Sequence, residues 1–260
     1  MRKDRAADQL RPIKITRRFT ETAAGSVLWQ QGKTIVLCTA SIEKSVPPWF
    51  GTKVAGGWLT ADYVMLPGST PQRKPWPKTG HTDSRGTEIQ RLIGRSIRAI
   101  IDLSRIGPNT IHCDCQVLQA DGGTRTASIC GAYVAIKDAL ATLPKSIEGT
   151  GSYRDDTGPS PSETVLKYNP SKALLDELAA VSVGIVDGVP LLDLEYVDDA
   201  AANVDLNVAM TAAGKYVEVQ GSAEAKAGDQ AAGFSPTEFN QMLELARKGC
   251  GQLFEIMRQA

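Results

Sequence analysis

The chain has 260 residues, 42% of them hydrophobic and 22% charged, with 29 Lys and Arg against 29 Asp and Glu. These are the proportions of a soluble globular protein with a sizeable core, and zero net charge argues against a polyanion held by overall charge alone. The charge is unevenly spread, however. Residues 1–105 carry 18 Lys and Arg against 8 Asp and Glu, and residues 106–260 carry 11 against 21. Such asymmetry suits a basic face for nucleic acid, or two halves that attract each other. Met1 to Leu10 is charged and no apolar run follows, so the expectation is no signal peptide, no membrane span and a cytoplasmic location. Five cysteines, an odd number set in apolar segments without zinc-ligand spacing, read as buried free thiols in a reducing compartment.

In chain order, Arg11 to Phe19 reads as extended, and Ser26–Gln30 and Lys33–Ile42 as a hairpin across Gln31-Gly32. Trp58 to Met65 is a further strand. Pro67 to Ser84, with four prolines and with Arg73, Lys74 and Lys78, predicts an irregular basic loop suited to an anionic partner such as RNA, or a solvated surface loop. Thr87-Glu-Ile-Gln90 fits a capping box opening a helix, with Ile89, Leu92, Ile93 and Ile97 on its apolar stripe. Arg91, Arg95 and Arg98 form a basic stripe that suits solvent or a subunit contact. Arg85 falls just ahead of the expected cap.

Ile111, Cys113, Cys115 and Val117 alternate with polar residues as a half-buried strand does. Gln119-Ala-Asp-Gly-Gly-Thr-Arg-Thr-Ala127 follows, and then a helix with Ile129, Tyr133, Ile136 and Leu140 at helical spacing. A glycine turn into a helix exposes backbone N–H groups at the positive end of the dipole, which suits phosphate; it also serves as a plain connection. A glycine- and proline-rich excursion is expected over 145–169, then a short helix over Ser171–Ala180 capped by the serine. Val181–Val186 and Val189–Tyr196 form a hairpin about Asp187-Gly188, Asn203–Thr211 pairs with Lys215–Gln220, and Ser235-Pro-Thr-Glu238 caps a last helix. The pattern predicts one α/β domain over residues 1–260, a two-layer sandwich with helices packed on mixed sheets.

Asp199 lies at a loop or strand end, and Asp205 and Asn207 share one side of the strand after it. Two carboxylates suit Mg²⁺ or Mn²⁺, or a general acid for an alkoxide leaving group; the bland reading is a solvated acidic edge. A phosphate-type turn, an arginine at a second helix start and a carboxylate pair are together what metal-assisted phosphoryl transfer needs.

Asp8–Ile15, Thr87–Ala99, Gln119–Ala127, Asp205–Thr211 and Val217–Glu224, in this order, closely resemble the ribonuclease PH family of bacteria. The resemblance implies repeated β-α-β-α units, a homo-hexamer built as a trimer of dimers, and a phosphorolytic 3′→5′ exoribonuclease. Such an enzyme trims tRNA precursor 3′ ends with inorganic phosphate and releases nucleoside diphosphates. It assigns phosphate binding to Arg85, Gly123, Thr124 and Arg125, and metal binding and leaving-group protonation to Asp199 and Asp205. Two departures stand out. Ser84-Arg85-Gly86-Thr87 replaces the usual Gly-Arg-Thr, and Trp76 stands in the basic loop where another cation is expected. The segment 149–161 is longer than usual and has no assigned role. A catalytically silent exosome-like ring subunit, or a hydrolytic nuclease using His81 or His112, are the other readings.

Overall fold

The computed structural model describes residues 2, 5–50, 56–76, 83–152, 163–224 and 233–260. The first sheet has five strands: β1 (Ile13–Arg17), β2 (Gly25–Gln31), β3 (Thr34–Glu43), β4 (Trp58–Met65) and β5 (Thr110–Gln119), in the order β1-β2-β3-β5-β4. Helix α1 (Ser84–Arg98) carries the chain from β4 to β5, and a strand–helix–strand crossover of this kind makes that pair parallel while the others are antiparallel. The sheet is therefore mixed, as expected. Along β5 the residues Ile111, Cys113, Cys115 and Val117 are fully buried, so the alternation seen in the sequence does set its core face.

Helix α2 (Thr124–Thr142) lies between this sheet and a second one. Thr126 through Ile136 are buried without a break, because β2 and β3 press on one side and β8 (Leu178–Val186) on the other. Its small residues permit that approach; a Cβ on Gly25 of β2 would stand 1.8 Å from the carbonyl oxygen of Ala135. The second sheet is antiparallel, in the order β11 (Tyr216–Ala223), β10 (Val204–Thr211), β8, β9 (Val189–Leu192). Every residue of β8 is buried, since α2 and α4 (Pro236–Gln259) both pack on it. The expected Ser235–Glu238 capping box opens α4, and Asp187 and Gly188, both at positive φ, make the β8–β9 turn. A third strand pair, β6 (Ile147–Ser152) with β7 (Glu163–Tyr168), forms a hairpin within the expected excursion; residues 153–161 of the 149–161 segment lie outside the described residues. One apolar cluster runs from Trp29 and Val117 through Ile129 to Val181, Leu206 and Leu253, and so joins both sheets.

Three local expectations need correction. Helix α1 begins one turn earlier than the Thr87 box: Asp83 is its N-cap, and the Thr87 amide donates to the Asp83 carbonyl at 2.8 Å. Gly86 is a poor helix former, but in the first turn its cost is small beside the added hydrogen bond from Thr87 to Asp83, so the helix extends back to Ser84. The helix expected over Ser171–Ala180 is a single 3-10 turn, Pro170–Lys172; Leu178 to Ala180 instead pair with β10, where burial outweighs their helical propensity. Asp199 sits in a short helix, α3 (Tyr196–Ala201), whose capping box is made by Glu195 and Asp198. All five cysteines are free and buried, as expected.

Candidate active site

The anion turn rests on two successive left-handed glycines, Gly122 (φ 74°) and Gly123 (φ 65°). Gly123, not a threonine, is the N-cap of α2, and no side chain caps that helix end. The Thr124 hydroxyl does not cap the helix but meets the Tyr63 hydroxyl, 2.9 Å away. The first N–H groups of α2 therefore keep their donors free of intrahelical partners. The turn is clamped from behind. Thr34 Oγ1 accepts from the Asp121 amide (3.0 Å) and donates to the Gly122 carbonyl (2.7 Å), and Arg11 Nη1 donates to the Asp121 carbonyl (2.6 Å).

Two arginines flank this helix end. Arg125 is half-buried, its Nε is enclosed without a hydrogen-bond partner among the described residues, and its Nη2 lies 3.7 Å from Glu88 Oε2. Glu88 also accepts from Gln220 Nε2, so α1 and β11 meet at this arginine. Arg85, in the first turn of α1, is exposed. Both guanidinium charges act on Tyr63 and on Asp199. Burial pushes the Tyr63 phenol up, while its bond to Thr124 and then the two arginines pull it down. The Asp199 carboxyl is raised from its ordinary value, first by loss of solvent and next by the charge of Asp205, against the opposing pull of Arg85 and Arg125; Glu224 adds to the rise. Asp199 is exposed as a residue, so the crowding is local to its carboxyl. Asp205 is fixed by Ser222, its partner across β10 and β11, whose hydroxyl donates to Oδ1 at 2.8 Å. Arg85, Arg125, Asp199 and Asp205 thus form one electrostatic group around the open end of α2.

Two carboxylates fit a hard divalent cation of the Mg²⁺ type, which keeps several waters and takes its remaining ligands from substrate phosphate. Among the described residues no group of three or more His, Cys, Asp or Glu side chains is placed to hold a metal without substrate. In the basic loop Arg73 is exposed, Lys74 is half-buried with Nζ 3.4 Å from Met65 Sδ, and Trp76 is exposed; Lys78 and His81 lie outside the described residues. His112 pairs with Glu43 at 3.2 Å on β5, away from this group. A groove of 570 Å³ between Pro190 and α4 contains none of the residues above, so size does not locate the chemistry.

Sequence reasoning missed Arg11, Thr34, Tyr63, Glu88 and Ser222. Arg11 gave one signal, a cation inside an otherwise extended segment; Tyr63 and Ser222 gave none, being defined only by strand pairing.

Comparison with known proteins identifies the family and the fold. The family model described as 3′ exoribonuclease family, domain 1, matches residues 9–141, and domain 2 of the same family matches residues 176–249. Ribonuclease PH of Corynebacterium efficiens is 47% identical over 257 residues, covering 98% of this chain and 94% of that protein. The fold is shared with rice (Oryza sativa) Rrp46, at a TM-score of 0.72, 16% identity, and coverage of 98% of this chain and 96% of that one. It is shared also with the Archaeoglobus fulgidus exosome with RNA bound to the active site, at a TM-score of 0.70, 22% identity, and coverage of 96% and 90%. With both family models matched in order and a relative of this identity aligned almost end to end, the chain belongs to the ribonuclease PH family of phosphorolytic 3′→5′ exoribonucleases.

Proposed function

We propose that the chain shortens RNA from its 3′ end, tRNA precursors among its substrates, by transferring the terminal nucleotide to inorganic phosphate at the open end of α2. The observation that carries this assignment of residues is the convergence of Arg85 and Arg125 with Asp199 and Asp205 on that helix end. Arg125 and Arg85, with the backbone amides after Gly123, would hold phosphate in line with the last phosphodiester. A phosphate oxygen attacks the phosphorus, the bond to the upstream 3′-oxygen breaks, and a nucleoside diphosphate leaves beside an RNA one residue shorter. The departing 3′-oxygen takes its proton from Asp199, the carboxyl whose affinity for a proton is raised. One phosphoester link replaces another, so the reaction runs in both directions and the protein supplies position and charge rather than a covalent nucleophile. Asp205, and Asp199 once its proton has gone, would hold Mg²⁺ or Mn²⁺, which when bound supplies positive charge for the scissile phosphate oxygens.

Arg73, Lys74 and Lys78 are assigned to the RNA backbone, with Trp76 offering a ring for stacking. We read residues 1–260 as one domain, supported by the shared packing of α2 on both sheets. A homo-hexamer, a trimer of dimers, is proposed because one neutral subunit attracts RNA weakly unless several basic N-terminal halves combine. A cytoplasmic location is supported by five free thiols, and no helix among the described residues is long and apolar enough to cross a membrane. The deciding experiment incubates an RNA bearing a 3′ extension with and without phosphate and identifies the nucleotide released. Diphosphates formed only with phosphate support the proposal; monophosphates formed without it would sink it.

A further inference from the structure

A buried ion pair ties the two sides of this site together. Arg11 and Asp193 are 5% and 1% exposed, with Arg11 Nε and Nη2 at 3.0 and 2.7 Å from the two carboxylate oxygens and the Arg11 amide at 2.7 Å from Oδ2. Burial would raise the Asp193 carboxyl, but the hydrogen bonds and charge of Arg11 outweigh it and hold it below the usual range. The same guanidinium reaches the Asp121 carbonyl at 2.6 Å and the Gly122 carbonyl at 3.5 Å. Pinning those carbonyls inward leaves the amides that follow aimed outward, toward an anion.

Asp193 belongs to the other wall. It sits at positive φ (56°) two residues ahead of the α3 capping residue, Glu195, and its amide donates to the Ser182 carbonyl at 2.7 Å. Arg2 Nη2 and Arg5 Nη2 donate to its carbonyl at 3.0 and 2.9 Å, and Arg2 Nε reaches Asp198 within α3 at 2.7 Å. The two walls also touch directly, since a Cβ on Gly122 would lie 2.5 Å from the Leu194 carbonyl oxygen. A buried ion pair is a poor source of stability, because desolvation consumes most of its attraction. Directional hold on two backbones is something an apolar pair cannot supply.

We propose that Arg11 and Asp193 are positioning residues that set the separation between the phosphate turn and the helix carrying Asp199, with Thr34 bracing only the turn and Arg2 only the opposite wall, the backbone at Leu192 and Asp193 together with that helix. This rests on the assignment of phosphate to the turn and of the scissile group to the side of Asp199. It makes kcat and the phosphate KM separable by which brace is removed.

The test is steady-state phosphorolysis of a 3′-extended RNA by Thr34→Val, Arg2→Met and Arg11→Lys, with thermal unfolding to count folded enzyme. Loss of one hydrogen bond is worth about tenfold. Thr34→Val is expected to raise the phosphate KM about tenfold with kcat within about twofold, and Arg2→Met to lower kcat about tenfold with KM within about twofold. Arg11→Lys shifts both, and Arg17→Ala, which breaks a surface pair with Asp138, shifts neither. If Arg11→Lys fails to fold, the contrast between Thr34→Val and Arg2→Met decides alone. The proposal is overturned if all three variants lose only thermal stability, or if Thr34→Val and Arg2→Met move the same constant. Arg125→Ala separates the two levels: a normal phosphate KM there rejects the phosphate site itself, whereas loss of saturation there with unchanged Thr34→Val and Arg2→Met rejects only the bracing.

Discussion

Asp199 and Arg125 carry opposite demands. Arg125 presents an enclosed Nε with no partner among the described residues and only a long contact to Glu88, which leaves its fork available to an oxyanion. Arg125→Ala is expected to lower kcat/KM for phosphate by about 100-fold or more, the worth of two charge-assisted hydrogen bonds, with circular dichroism unchanged. Asp199 is held where its charge is unwelcome. Its folded-state pKa is raised, so the folded protein binds that proton more tightly than the unfolded chain does. The associated stability is full below the carboxylate range and is lost as pH rises through the Asp199 pKa. In metal-free buffer, Asp199→Asn is therefore expected to melt above the wild type at neutral pH, with the gap closing as pH falls through the raised Asp199 pKa and gone below about 4. A wild type that melts higher at neutral pH would count against that crowding. The same substitution would remove the proposed proton donor, so stability and activity are expected to move in opposite directions.

At the scale of elements, the turn between β5 and α2 is the most demanding piece. Gly122→Ala would place a Cβ 2.5 Å from the Leu194 carbonyl oxygen at a φ of 74°, so either the turn or the loop before α3 must shift. The expected outcome is a loss of about 1–3 kcal/mol in denaturant unfolding and a weaker phosphate KM together. This turn was legible in the sequence because two glycines between a period-two and a helical pattern admit few alternatives. Strand β4 was read with its bounds intact, and β5 with its core face, for the same reason of periodicity. The start of α1 was not, since the capping pattern at Thr87 lies inside a helix that Asp83 begins. Nor was β8 at Leu178–Ala180, whose local preference is helical until β10 pairs with it. The four residues proposed for the site came from the family resemblance, whereas the braces behind them depend on contacts such as Arg11 to Asp193, 182 residues apart, that no local pattern encodes.

Across the whole molecule, part of the charge asymmetry is spent internally. Arg2, Arg5, Arg11 and Arg95 of the basic half pair with Asp198, Asp193 and Glu218 of the acidic half. The halves do attract each other, and the cations left for RNA are fewer than the count suggests. Phosphate that binds only the folded chain should raise its melting temperature: at 100 times Kd the gain is about 2.7 kcal/mol. For a chain of this size that is about 5–10 °C in differential scanning fluorimetry, and Arg125→Ala should abolish it. A rise that persists unchanged in that variant would place the bound anion elsewhere.

From Thr126 to Ile136 helix α2 has no solvent-facing side, and this bears on the lifetime of the site proposed at its start. A surface helix frays at its end on its own timescale, but the end proposed to receive phosphate runs at once into a segment buried between both sheets, so its loosening is expected to require the sheets to part. The anion pocket and the core are then one cooperative unit, with no state in which the fold persists and the pocket has melted. In a urea titration, loss of phosphate binding, loss of helical signal and exposure of the five thiols to a labelling reagent should follow a single curve. Binding that vanished at a lower urea concentration than the other two would show a pocket able to open by itself.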